Sequence, residues 1–189
     1  MQKTAYIIIS DGAEDIEHVV VADILNRANF LVKVISLKDQ PYISLLKGTK
    51  VIADEVLSHK HLSILPELLV LIGGQNHPEL MCSNKILGDL LRSQENSGNI
   101  IGAICRAPLA LLSHKIGFNK SITSHPLAGN ILKKSGKYNY IDNQKVVLDS
   151  NIITSTGPAP AIDFALALVK GFLSAEDYDK LLDILQYKV

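Results

Sequence analysis

The segment NIIGAICRAPLALL, residues 99–112, begins as an apolar strand and ends as a helix, with Cys105 at the joint, followed by Arg106, Ala107 and Pro108. A free thiol with a pKa of ~8.5 is only a few per cent thiolate at neutral pH. Unpaired backbone N–H groups and the helix dipole at a helix start favour the anion. Pro108 suits a first helical turn, where its missing N–H costs nothing. The pattern is that of a nucleophile elbow, a sharp strand-to-helix turn that lifts a reactive side chain above a sheet. A buried, inert cysteine is the other reading of the same residues.

Three further groups could act with such a thiol. Glu17, Val20, Val21, Ile24 and Ala28 share one helical face, so Glu17 sits on the stripe that should turn toward the core. A carboxyl there loses hydration, its pKa rises, and in its protonated state it could donate to a thiolate or carry a proton. A wet helix-dipole role is the competing account of Glu17, and Glu14 and Asp15 suit that role better. Gly73 and Gly74 end an apolar run and let backbone approach a ligand closely, and an amide there together with that of Arg106 would make an oxyanion hole. The same glycine pair also reads as a simple turn. His125 precedes Pro126, which favours extended backbone, and its imidazole could be a general base or an idle loop side chain. The remaining histidines, including His59 and His61, read as exposed loop or helix residues.

These groups need a scaffold. Strand-like runs at 4–10, 31–37, 50–54, 67–74, 99–105, 120–124 and 151–156 alternate with helix-period segments at 13–28, 84–96, 107–115, 160–173 and 175–187. Continuous Val/Ile/Leu strands between helices imply a parallel sheet covered on both faces, with ligands beyond the carboxyl ends of its strands. Residues 137–141 and 145–149 flank the turn-like DNQ and suggest a hairpin. The last segment carries Tyr178, Leu181, Leu182 and Leu185 on one side, which should pack on the core.

With 189 residues and 47% hydrophobic residues, the expectation is one α/β domain spanning 1–189. The 19 basic and 19 acidic residues balance, which offers nucleic acid and anionic membranes no electrostatic handle. The two cysteines, Cys82 and Cys105, suit a reducing compartment and lack zinc-site spacing. No GxGxxG supports a dinucleotide. With no apolar run of membrane length and no signal-peptide pattern, a cytoplasmic protein without cofactor or metal is expected.

Taken together, SDGAEDIEHVVVADILNRA, LLVLIGG, AICRAPLALL, GFNKSITSHP and IITSTGPAPAIDFALALV resemble the ThiJ/PfpI superfamily, in the branch of DJ-one, the parkinsonism-associated protein, and its bacterial relatives. The resemblance covers essentially the whole chain in order. It implies a flavodoxin-like three-layer sandwich with a mostly parallel central sheet, helices on both faces and a small β-hairpin, and a homodimer. By motif it places the reactive cysteine on Cys105, its protonated carboxyl partner on Glu17, the nearby histidine on His125, the oxyanion-hole amides on Gly74 and Arg106, and substrate contacts on Gly73 and Arg106. Arg106 departs from the small residue usual after the cysteine. Its guanidinium could favour thiolate, attract an anionic substrate group, face solvent or crowd the pocket. Cys82 matches no resolving partner.

The implied chemistry is glutathione-independent glyoxalase or deglycase action on methylglyoxal, glyoxal or their early adducts, through a thiohemiacetal on Cys105. A second reading makes the same thiol a peroxide sensor or the switch of a redox-dependent chaperone. A third, cysteine peptidase, requires a well-placed Cys–His pair and an open cleft.

Overall fold

In the computed structural model, which describes residues 2–188, the first half runs β1 (Thr4–Ile9), α1 (Asp15–Arg27), β2 (Leu31–Ser36), β3 (Tyr42–Ser44), β4 (Lys50–Ile52), β5 (Glu55–Val56), a short 3₁₀ turn, and β6 (Leu68–Leu71). There follow α2 (His77–Ser83), α3 (Lys85–Asn96), β7 (Ile100–Ile104), α4 (Pro108–His114), β8 (Ser121–Ile122), α5 (Pro126–Ser135) and β9 (Asn139–Tyr140). The chain closes with β10 (Val146–Asp149), β11 (Ile152–Ser155), α6 (Ala161–Lys170) and α7 (Ala175–Ile184).

Seven strands form one sheet in the order β10-β11-β7-β6-β1-β2-β5, parallel except for β10, which pairs antiparallel with β11. This is the expected α/β sandwich with a mostly parallel central sheet. Side chains alternate across it: Ile7 and Ile9 of β1 pack toward Val21 and Ile24 of α1 and Phe164 of α6. Tyr6 and Ile8 face the opposite way, toward Leu87, Leu90 and Leu111 of α3 and α4. Burial on both faces explains the continuous apolar strands. The order reverses between β1 and β6, and a crevice opens beyond their carboxyl ends.

The hairpin expected across residues 142–144 does not form. β9 pairs parallel with β8, and β10 turns at Ser150 (φ 57°) to pair with β11. Two hairpins exist instead, β3–β4 and β10–β11. α2 and α5 lie in stretches that read as loop. Each begins at or beside a proline that fits the first helical turn, and His125 caps α5 by accepting from the Leu127 N–H. Leu181 is buried, and Tyr178, Leu182 and Leu185 pack on the α1/α6 core as expected. No helix among the described residues is long and apolar enough to cross a membrane.

Candidate active site

Cys105 follows β7 directly and has φ 62°, a left-handed conformation that costs a non-glycine residue on the order of 1 kcal/mol. The neighbours hold it there. Its N–H donates to the Ser155 carbonyl of β11 (2.8 Å), and its carbonyl accepts from the His125 N–H (2.8 Å). The elbow is thereby tied on one side to the last sheet strand and on the other to the start of α5.

Glu17 comes from α1, one turn past its N-cap. The cap is Glu14, whose carboxylate accepts from the Glu17 N–H (2.8 Å). The Glu17 side chain is fully buried, and its Oε2 accepts from the Gly73 N–H (2.9 Å). Oε1 is buried and has no oxygen or nitrogen partner. Gly73 makes this approach sterically possible. A Cβ at that position would stand 2.4 Å from Cys105 Cβ and 2.8 Å from Glu17 Oε2. Gly74 is needed for a second reason: its φ is 145°, and a Cβ would lie 2.1 Å from the Gly12 carbonyl oxygen. The loops after β1 and β6 are clipped together by Glu14 N–H to Gly73 O (3.0 Å) and Gln75 N–H to Gly12 O (3.1 Å).

The electrostatics belong to the pair. Burial pushes the Glu17 carboxyl up from 4.5 to about 7, the Gly73 amide opposes that, and the Glu14 charge adds to it. Burial also pushes the Cys105 thiol up, reinforced by the Glu17 charge, while the Arg106 and Gly74 backbone amides pull it down. The sequence expectation of a thiol simply lowered by its turn is thus corrected: the two amides act as expected, but burial outweighs them while Glu17 is ionised. Near neutrality the pair carries at most one negative charge. It rests on sulfur only when the proton is on Glu17, whose side chain hydrogen-bonds the thiol.

A hollow of about 390 Å³ opens over the thiol, lined among others by Glu14, Lys47, Gly74, Arg106, His125 and Pro158. Of the residues singled out from sequence, Cys105, Gly74, Arg106 and His125 meet at this hollow, with Glu17 directly behind the thiol. Gly73 does not line it. Its amide serves Glu17 and its carbonyl serves Glu14. The Arg106 guanidinium turns onto the β6–α2 loop, donating to Gln75 O (2.6 Å) and pairing with Glu79 (2.7 Å). Nδ1 of His125 accepts the Leu127 N–H (3.2 Å), which places the ring proton of the neutral imidazole on Nε2. In that tautomer the other ring nitrogen of His125 is a donor, a different role from the general base read from sequence.

Three histidines expected at the surface are buried. His18 and His61 lie inside the fold, His61 against Glu55 (3.2 Å), and His77 is fully buried with Nδ1 in a 2.6 Å hydrogen bond to Ser10 Oγ. The Ser10–His77 bond fastens the β1 exit to the start of α2, beside the clipped loops, and nothing local in the sequence marks it. Lys47 and Leu46 reach the rim because Asp15 accepts from the Lys47 N–H (2.7 Å) and Ala13 O from the Leu46 N–H (2.8 Å).

Residues 3–171 match the DJ-1/PfpI family. Among curated relatives, Protein DJ-1alpha of Drosophila melanogaster is 40% identical over 92% of this chain and 79% of its own length. Glutathione-independent glyoxalase DJR-1.2 of Caenorhabditis elegans is 32% identical over 96% of this chain and 95% of its own. The crystal structure of Drosophila melanogaster DJ-1beta superposes with a TM-score of 0.93 at 34% identity, covering 100% of both chains.

Proposed function

The chain belongs to the DJ-1/PfpI family, and from that premise we propose that it is a glutathione-independent glyoxalase acting on methylglyoxal, glyoxal or their early adducts. The observation that carries the proposal is the buried Glu17 carboxyl, held by the Gly73 amide behind Cys105 at the head of a hollow. The similarity to the Caenorhabditis elegans glyoxalase supports it.

Proton transfer from Cys105 to Glu17 yields the thiolate, and Sγ adds to the aldehyde carbon of methylglyoxal. The resulting oxyanion is held by the Gly74 and Arg106 amides. The proton held by Glu17 passes to this oxygen, and the freed carboxylate then takes the proton from the same carbon and returns it to the neighbouring one, through an enediol to which the His125 Nε2–H donates. The product is a lactoyl thioester, and water releases lactate and regenerates the thiol. Methylglyoxal and water are consumed and lactate is formed, with the protein's own residues supplying the proton relay.

The test is to follow lactate from methylglyoxal without glutathione, in the wild type and in Cys105→Ala. Lactate that vanishes in the variant supports the reading, and turnover retained without Cys105 sinks it. A second reading, oxidation of Cys105 to the sulfinate as a redox signal, draws on one observation: the unpartnered Glu17 Oε1 could donate to a sulfinate oxygen. Ile16 and Val19 stand exposed on α1 and supply an apolar face for the proposed homodimer, which size-exclusion chromatography with light scattering tests.

A further inference from the structure

The two amides that meet Cys105 belong to different loops. Gly74 follows β6 and Arg106 follows β7, so the spacing of the pair depends on how two separate strand exits are held. The β6–β7 pairing ends at Leu71 and Ala103, and beyond that register the sheet no longer fixes one exit against the other. The Gly74 side is tied to the β1 exit, through the Ala13–Gly74 bridge and the bond from the Gln75 N–H to Gly12 O. The Cys105 side is tied to β11 and α5, through Ser155 and His125. Among the described residues, no backbone hydrogen bond joins residues 74–79 to residues 105–108.

The Arg106 side chain supplies the missing link. Its Nη1 donates to Gln75 O (2.6 Å) and lies 3.5 Å from Gly74 O, while Nη2 pairs with Glu79 on α2 (2.7 Å). A guanidinium is a rigid planar fork, so one side chain holds the loop and the helix behind it together. One residue thus gives the site an amide from its own backbone and grips the carbonyls that follow the other amide. The small residue usual at this position in the resembling family has no such reach.

We propose that the Arg106 side chain is a positioning group for the oxyanion hole. It straps the β6–α2 loop to the β7–α4 elbow and sets the distance between the Gly74 and Arg106 amides. It touches no reacting atom, and its charge is taken up by Glu79. The assignment deepens the glyoxalase reading and rests on it for the turnover arm of the test. Deleting an oxyanion donor outright costs roughly 10²–10³ in kcat. Loosening one that the β1 contacts still hold should cost about tenfold, because small misplacements of a catalytic group are expensive.

The test compares wild type with Arg106→Met, which keeps the bulk and loses every donor, and Arg106→Lys, which keeps the charge and loses the fork. Lactate formation from methylglyoxal gives kcat and KM, and iodoacetamide alkylation of Cys105 at pH 7 reads the thiolate without turnover. In Arg106→Met, kcat should fall about tenfold with KM little changed. Alkylation should slow about threefold, since a displaced Gly74 amide favours the thiolate less. Arg106→Lys should behave like the methionine variant. Wild-type kcat and alkylation rate in Arg106→Met overturn the proposal. Full recovery in Arg106→Lys assigns the effect to charge rather than to the fork, and overturns it too. Urea unfolding checks that each variant is folded, and the lysine variant carries the test alone if the methionine variant is not. If the wild type makes no lactate, the glyoxalase reading fails by itself, and the alkylation rates still decide the strap.

Discussion

Replacing Glu17 by glutamine should flatten the pH dependence of stability. The side chain is fully buried, and its carboxyl is raised from 4.5 to about 7, first by burial. A carboxyl raised in the folded state holds its proton more tightly there than in the unfolded chain. Below about pH 4.5 both states are protonated and the group's contribution is fully present. Between about 4.5 and 7 the unfolded chain releases the proton while the folded chain keeps it, so stability falls as pH rises. Above about 7 the loss is complete, on the order of 3 kcal/mol at 1.36 kcal/mol per unit. Glutamine keeps the shape, its carbonyl can still accept from Gly73, and it cannot ionise. The assay is urea unfolding of both proteins at several values from about pH 5 to about pH 8, taking the difference so that other groups cancel. The variant should gain on the wild type by a few kcal/mol across that window while losing lactate production. Parallel stability curves would refute the buried proton on Glu17 and, with it, the relay.

Gly73→Ala should cost about 1–3 kcal/mol in urea unfolding and slow iodoacetamide alkylation of Cys105, because the new methyl overlaps both Cys105 and Glu17. Arg106→Ala keeps the backbone amide and loses an ion pair whose Glu79 partner is largely exposed, so it should cost about 1 kcal/mol or less and retain lactate formation. Abolished turnover in that variant would place the guanidinium itself in the chemistry. His77 is lowered by burial to about 4, so its folded state resists protonation and stability drains away as pH falls from 6.5 toward 4. His77→Asn should remove that acid sensitivity, and an unchanged acid limb in the denaturation profile would count against it.

Sequence makes the site's backbone legible where local rules and tertiary demand agree. The strands are apolar on both faces and could only be central, and Glu17 falls on the buried face of α1 by helical spacing alone. Cys105 is visible because a thiol at a strand-to-helix joint, with proline placed for the first turn, is the local pattern of an exposed nucleophile. What stays hidden depends on distant partners. The Arg106 side chain finds Gln75 on the loop after a different strand and Glu79 on α2, and His77 finds Ser10 at the exit of β1. α5 is masked because Pro126, Gly129 and Asn130 read as breakers, although the proline stands in the first turn and the glycine makes room for Tyr140. The false hairpin satisfies local turn chemistry, while the real partner of β9 is β8, across an intervening helix. The thiol's own titration escapes the sequence for a similar reason: the turn is local, but the burial that outweighs it comes from the assembled fold.

The bond from the Cys105 N–H to Ser155 has a consequence for how the protein is made. Ser155 ends β11, the last strand in the chain, and α6, which packs against α1, comes later still. During synthesis the cysteine emerges well before the residues that lock its backbone and bury it. Until β11 docks, Cys105 is an ordinary thiol in an open loop, with neither a raised carboxyl behind it nor two amides above it. Its special reactivity is acquired late, with the closing of the sheet. Any fluctuation that frees the β10–β11 edge returns it to the nascent condition, so the chemistry of one sulfur atom reports on whether the far end of the chain is in place.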